Sequence, residues 1–328
     1  MEKVRFGIIG TNFITQRFIE AASLCEDIEV AAIYSRSMDR AREFAQKYKI
    51  EHTFDDLDKM ASCNQVDAVY IASPTACHNR QALIMLRNRK HVLCEKPITS
   101  NSHDLESLLQ VANEKRVIFL EAIRNEFTPG YQTIKENLKR IGKIRRATFV
   151  YCQYSSRYDA FKQGKIENAF RSELSNGAIM DIGVYGVHLL ASLFGIPYSL
   201  SAKGYIIPGS IDGSGVIIGK YKDMQAEVIY SKISNSYLPS EIQGEDGNIV
   251  FSSVSAPDKI KIIMRDGEKE TVKLDLIQPD LYYEVRAFVD MILGKRSDSS
   301  QFNYNSILTM RMLDDARKQM DIVFPSDF

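Results

Sequence analysis

Neither sign of charge predominates: 42 lysines and arginines balance 42 aspartates and glutamates. That balance removes the general electrostatic case for nucleic acid or an anionic membrane as a partner. Cysteine is sparse, five in 328 residues (Cys25, Cys63, Cys77, Cys94, Cys152), scattered and odd in number. Such usage argues against a disulfide framework and suits reduced thiols in a cytoplasmic protein. No Cys-x-x-Cys or His-x-x-x-His spacing marks a metal site. No apolar run approaches the ~20 residues that span a bilayer. The N-terminus enters a strand pattern directly, without signal-peptide architecture. Low-complexity segments and internal repeats are also missing. What remains is an ordinary globular composition, and its length predicts about two domains.

The first third alternates between strand and helix signals. Val4 to Ile9 reads as a buried parallel strand ending at Gly10. Thr11-Asn12 turn the chain, and Phe13 to Ser23 carries apolar residues at helical spacing. A strand–turn–helix of this kind seats a dinucleotide pyrophosphate on the helix N-terminus. Gly10, Thr11, Asn12, Phe13 and Ile14 are therefore candidate contacts. Of the usual Gly-x-Gly-x-x-Gly fingerprint only Gly10 is present; Asn12 and Thr15 hold the other two places. Asparagine tolerates left-handed backbone, which keeps the turn feasible.

Glu29 to Tyr34 reads as the second strand. An acid at its end would meet a free ribose hydroxyl, but Ser35 and Arg36 stand there, followed by Ser37 and Arg40. A hydroxyl and a guanidinium suit a phosphate monoester, which points to NADP, with NAD as the alternative. The competing use is a solvated helix start capped by Ser37. A further strand, Val66 to Ala72, ends in Ser73-Pro74-Thr75. His78 falls in the next helix's first turn, where it either touches nicotinamide or ribose or simply packs. His91 to Cys94 then runs into Glu95-Lys96-Pro97. Pro97 restricts Lys96 to extended backbone at the strand's carboxyl end, the edge where open α/β sheets bind ligands. With a sixth strand at Ile118 to Leu120, residues 1–122 form a doubly wound parallel sheet, a Rossmann-type domain.

Residues 123–328 change character. A helix from Thr128 to Lys139 precedes eight alternating runs between Arg146 and Leu274, several separated by turn signals such as Asp246-Gly247 and Asp266-Gly267. This predicts an α+β domain with a large, mostly antiparallel sheet. Within it a helix from Asp181 to Phe194, stopped by Gly195, places Asp181, Tyr185 and His188 at i, i+4 and i+7 on one face. Three ionisable groups on an otherwise apolar helix are costly to bury without a purpose. They form either a catalytic constellation or a structural network in which the aspartate accepts from tyrosine or histidine.

Gly10, Ser73-Pro74-Thr75, Glu95-Lys96-Pro97 and Asp181-x-Gly-x-Tyr185-x-x-His188, in this order, resemble the glucose-fructose oxidoreductase / inositol dehydrogenase (Gfo/Idh/MocA) family, in its dihydrodiol-dehydrogenase-like branch. The resemblance spans essentially the whole chain. It implies an NAD(P)-dependent enzyme moving a hydride between nicotinamide and a secondary alcohol or ketone of a sugar, polyol or cyclic diol. It also implies an open-faced sheet used for homodimer or homotetramer formation, and commonly a cis bond at Lys96-Pro97. Lys96 matches the catalytic lysine, and Tyr185 the position of the acid/base. Asp181 and His188 match further active-site positions, and Arg171 resembles an arginine that approaches the nicotinamide end. A lysine cation beside a tyrosine favours phenolate, so Lys96 and Tyr185 form the expected pair. The rival expectations are a non-catalytic dinucleotide sensor on the same fold, or a redox enzyme of another group such as an imine.

Overall fold

The computed structural model describes residues 3–209, 211–296 and 299–328. They fall into two compact units, 1–122 with 277–304, and 123–276 with 305–328. The segment Ile277–Tyr304, read from sequence as part of the second domain, thus groups with the first.

In the first unit the strands β1 (Val4–Ile9), β2 (Ile28–Tyr34), β3 (His52–Phe54), β4 (Ala68–Ile71), β5 (His91–Glu95) and β6 (Phe119–Ala122) pair in the order β3-β2-β1-β4-β5-β6. Each pairing is parallel. Strand order reverses between β1 and β4, and such a switch point is where these sheets open a ligand crevice. The connecting helices are α1 (Phe13–Ala22), α2 (Met38–Tyr48), α3 (Leu57–Ala61), α4 (His78–Arg87) and α5 (Ser102–Lys115). Between the sheet and α1, Phe18 stacks on Tyr70 at 4.1 Å and meets Phe6 edge-on. From the late segment, α9 (Tyr282–Ile292) adds Phe288 against Phe6, and Arg286 pairs with Asp27 at 2.6 Å. Hydrogen bonds from Arg286 hold the Asp27 carboxyl down at about 2. These apolar and charged contacts explain why α9 belongs here, a grouping that its amphipathic pattern alone cannot reveal.

The second unit holds an eight-stranded sheet in the order β14-β13-β12-β11-β7-β10-β9-β8. Its strands are β7 (Ile144–Cys152), β8 (Ser199–Ile207), β9 (Ile211–Lys220), β10 (Gln225–Ser231), β11 (Ser240–Gly244), β12 (Gly247–Phe251), β13 (Lys261–Met264) and β14 (Lys269–Thr271). All pairings are antiparallel except β7 with β10. The last strand lies earlier than the apolar alternation of Thr271 to Leu274 predicts. The tight turn at Asp266-Gly267, with Gly267 at φ +98°, sets Lys269 opposite Ile263, and turn geometry fixes register. Helices α6 (Pro129–Asn137), α7 (Tyr158–Lys162), α8 (Val184–Phe194) and α10 (Ser300–Gln319, in this unit from Asn305) complete it. Ser172–Phe194 is long and apolar enough by composition to cross a membrane, with mean hydropathy 1.5 over its most apolar 18 residues, but 78% of that stretch is buried inside the protein.

Candidate active site

The turn after β1 closes without the second and third glycines. Gly10 sits at φ +117°, and a Cβ there would meet the Ala72 carbonyl oxygen at 2.8 Å, so only glycine lets β1 and β4 approach this closely. Asn12 adopts extended backbone at φ −97° rather than a left-handed one. Its amide nitrogen donates to the Ala72 carbonyl at 2.6 Å, and its oxygen accepts from the Thr15 amide. Thr15 Oγ1 in turn donates to the Gly10 carbonyl. Side-chain hydrogen bonds thus replace the missing glycines. The α1 N-terminus remains, with Phe13 and Ile14 in its first turn beside Thr11. A helix start of this kind fits the pyrophosphate of a dinucleotide.

At the end of β2, Ser37 caps α2 and Ser35 Oγ accepts from the Ser37 amide. Burial raises the Tyr34 hydroxyl pKa, while the charges of Arg36 and of Arg80 on α4 pull it down and Asp55 and Asp56 push it up. Two exposed guanidiniums therefore lie near the strand end. Arg36 was legible in the sequence. Arg80 was not, because it arrives from a different crossover.

Lys96 lies in a turn held from several elements, and the Lys96-Pro97 bond is cis, as the resemblance implied. Tyr70 on β4 donates to Glu95 Oε1 at 2.6 Å, and Glu95 Oε2 accepts from the Lys96 amide. Glu121 on β6, almost wholly buried, accepts from the Ile98 amide at 3.0 Å. His78 is buried, with Nδ1 3.0 Å from the Pro97 carbonyl and Nε2 2.9 Å from the Ser73 carbonyl. Ser73 Oγ donates to Gln81, and Pro74 leads extended into the buried Thr75. His78 therefore ties the Ser73 turn to the Pro97 turn. Both ring nitrogens meet main-chain oxygens, which gives the ring a structural use in holding the two turns together. Burial lowers its pKa below the usual histidine value, against the pull of those carbonyls.

In the second unit the segment bearing Asp181 is not a plain α-helix. Ile179–Gly183 forms a π-helical turn before α8, a feature frequent at functional sites. The wider turn changes the register that α-spacing assumes, and the three side chains meet three sets of partners. Asp181 pairs with Lys232 at 2.7 Å. Tyr185 has the Arg124 guanidinium 5.4 Å from its ring centre and Tyr151 beside it, while Asn125 holds its carbonyl. His188 is fully buried, with Nε2 2.8 Å from Glu126 and Nδ1 3.0 Å from Thr309 Oγ1. Thr309 spends its proton on the Asn305 carbonyl and Asn305 Nδ2 donates to Glu126. His188 is thus held in a buried polar network, while Asp181 keeps about a third of its side chain exposed. Arg171 is exposed and follows the buried Ala169-Phe170 turn.

The π-turn is seated on a buried acid. Asp212 on β9 accepts from the Ile179 amide at 2.8 Å, and Gly177, at φ +145°, leaves room for its other oxygen, which a Cβ would meet at 2.4 Å. Burial pushes the Asp212 pKa from its ordinary 3.8 up to about 6. An acid raised on folding holds its proton in the folded state while the unfolded chain has already lost it. Stability therefore declines as pH rises through this window, by on the order of 1–3 kcal/mol, and stays at the lower level above it. Asp212→Asn keeps an acceptor for the Ile179 amide and removes the charge. Its thermal midpoint is expected to lose that downward slope between about pH 4 and 6. A variant with the wild-type slope would show that Asp212 is not the group responsible.

A glycine turn and arginine-lined strand end on one unit, with a lysine turn at the sheet's carboxyl edge, define a dinucleotide-dependent oxidoreductase of two domains. Residues 4–122 match the model described as an oxidoreductase family with NAD-binding Rossmann fold, and residues 131–250 match the GFO/IDH/MocA C-terminal domain. The chain belongs to the GFO/IDH/MocA oxidoreductase family. It is 45% identical, over 99% of both chains, to scyllo-inositol 2-dehydrogenase (NADP(+)) IolU of Bacillus subtilis. It is 30% identical to trans-1,2-dihydrobenzene-1,2-diol dehydrogenase of Xenopus tropicalis over 76% of this chain and 75% of that one. The solved structure of KijD10, a 3-ketoreductase from Actinomadura kijaniata in complex with NADP and TDP-benzene, shares the fold, with TM-score 0.83 at 22% identity over 97% and 98% of the two chains.

Proposed function

We propose that the chain is an NADP-dependent dehydrogenase of a cyclic polyol, with scyllo-inositol the first substrate to test. The near full-length likeness to an NADP-linked scyllo-inositol dehydrogenase carries this reading. Ser35, Arg36 and Arg80 at the end of β2 support the phosphorylated cofactor. Gly10, Thr11, Asn12, Phe13 and Ile14 would hold the pyrophosphate, and Ser73, Pro74, Thr75 and Glu95 would line the nicotinamide half. Bound nicotinamide supplies the two-electron acceptor or donor. The chain's own work is then to place the carbinol and manage its proton. Lys96 would orient and polarise the reacting oxygen. Tyr185 would take its proton on oxidation or return it on reduction. Asp181 would accept from a neighbouring substrate hydroxyl, and Arg171 would approach the cofactor. His78 and His188 act behind these groups, since each has both ring nitrogens engaged within its own unit.

The cytoplasm is the proposed compartment, consistent with five free cysteines. A homodimer or homotetramer through the second sheet is the proposed assembly, supported by exposed Tyr205, Ile206 and Ile218 on its β8–β9 edge. A panel of inositols, open-chain polyols and a trans-dihydrodiol, each with NADP+, tests the function. Oxidation of cyclic polyols is expected. Tight NADPH binding with no turnover on any member would favour a dinucleotide sensor instead.

A further inference from the structure

We infer that Lys232 is a positioning residue that fastens Asp181 and the Arg171 loop to one fixed point of the second sheet. Lys232 follows β10 directly, and its main chain is held from both sides. Its amide donates to the Gly213 carbonyl and its carbonyl accepts from the Ser155 amide, each at 2.8 Å. The side chain is 3% exposed as a residue, which for a lysine demands partners. Three are present. Nζ pairs with Asp181 Oδ2 at 2.7 Å, donates to the Ala169 carbonyl at 3.1 Å, and lies 4.8 Å from the centre of the Phe170 ring. One ammonium thus bonds the π-turn carrying Asp181 and the short turn that delivers Arg171.

Around Arg171 the loop is closed on itself: the Asn176 amide donates to the Arg171 carbonyl, and Asn176 Nδ2 to the Asn168 carbonyl. The loop therefore moves as a piece, and its tie to the sheet runs through Ala169 and Phe170. Asp181 keeps 35% of its side chain exposed while Lys232 keeps 4%. The carboxylate is the reachable member of the pair and the lysine is its anchor. A fixed carboxylate binds a substrate hydroxyl without first losing side-chain freedom.

The inference rests on the proposed roles of Asp181 and Arg171, so the experiment has one arm that needs no turnover. Lys232→Met keeps the stem over Phe170 and removes the charge. With scyllo-inositol and NADP+, its KM for the polyol is expected to rise ~10-fold with kcat within about threefold, the signature of lost binding rather than lost chemistry. Trypsin cleavage after Arg171 in the folded protein is expected to accelerate at least ~10-fold, because the loop opens locally. Lys232→Arg should restore both. Asp181→Asn, which leaves the lysine on Ala169 and Phe170, should raise KM without accelerating the cleavage; Lys232→Gln, which keeps a neutral donor, serves if Lys232→Met does not fold. Wild-type KM together with wild-type cleavage would overturn the inference, as would a loss of activity that merely follows the folded fraction. Absence of wild-type turnover on scyllo-inositol would count against the proposed substrate alone. The cleavage arm would then still decide for or against the tether.

Discussion

Replacing Lys96 by methionine, or Tyr185 by phenylalanine, is expected to lower kcat by about 10²–10⁴-fold, the usual contribution of a placed acid or base. Each change is nearly isosteric. Lys96→Met keeps the stem and removes the charge; Tyr185→Phe removes one oxygen from a ring that is 5% exposed. Neither touches the pyrophosphate turn, so NADPH binding should persist. The double variant should fall within about tenfold of the worse single variant, because residues that act as a unit are not additive. Independent roles would instead multiply the losses. A purely structural role would lower thermal midpoints, with activity tracking the folded fraction. Turnover per folded molecule, measured beside the melting curves, separates these outcomes. Near-normal turnover in folded Tyr185→Phe would remove the proton role from this tyrosine. His188 is a poor successor, since its ring is fully buried between Glu126 and Thr309.

Arg36→Ala is expected to weaken NADP binding by about 10- to 100-fold, the worth of roughly 1.5–3 kcal/mol for a charged hydrogen bond. NAD binding should change by about twofold or less. Arg36 and Arg80 both act on Tyr34, so Arg80→Ala should show the same selectivity more weakly. Both effects should shrink with added salt, because these side chains are exposed. Equal losses for the two cofactors in titration calorimetry would remove Arg36 from the 2′-phosphate site.

The parallel sheet was legible because its strands are short apolar runs bounded by turns, and Gly10, Pro74 and Pro97 each mark a strand's carboxyl end. The antiparallel sheet was legible from alternation and from its Asp-Gly turns, except where the Gly267 turn overrode the apolar pattern and set β14 earlier. The π-turn was invisible. Nothing in Ile179 to Gly183 distinguishes five residues of wide helix from α-helix, and the seat supplied by Asp212 comes from a strand 33 residues further along the chain. Asn12 and Thr15 looked like departures from a glycine pattern, yet they close the same turn through side-chain hydrogen bonds. Lys232, Arg124, Glu126 and Arg80 were missed for one reason. Each reaches its partner across long sequence separation, and a lone charge near an apolar strand or helix reads as a solvated end.

Scyllo-inositol deuterated on its carbinol carbons, incubated with NADP+ and the wild-type protein, tests the central claim most directly. One deuterium should appear in the reduced cofactor for each ketone formed, with a slowed rate against the unlabelled polyol. Cofactor that stays oxidised, or is reduced without carrying the label, would contradict a hydride-transferring polyol dehydrogenase.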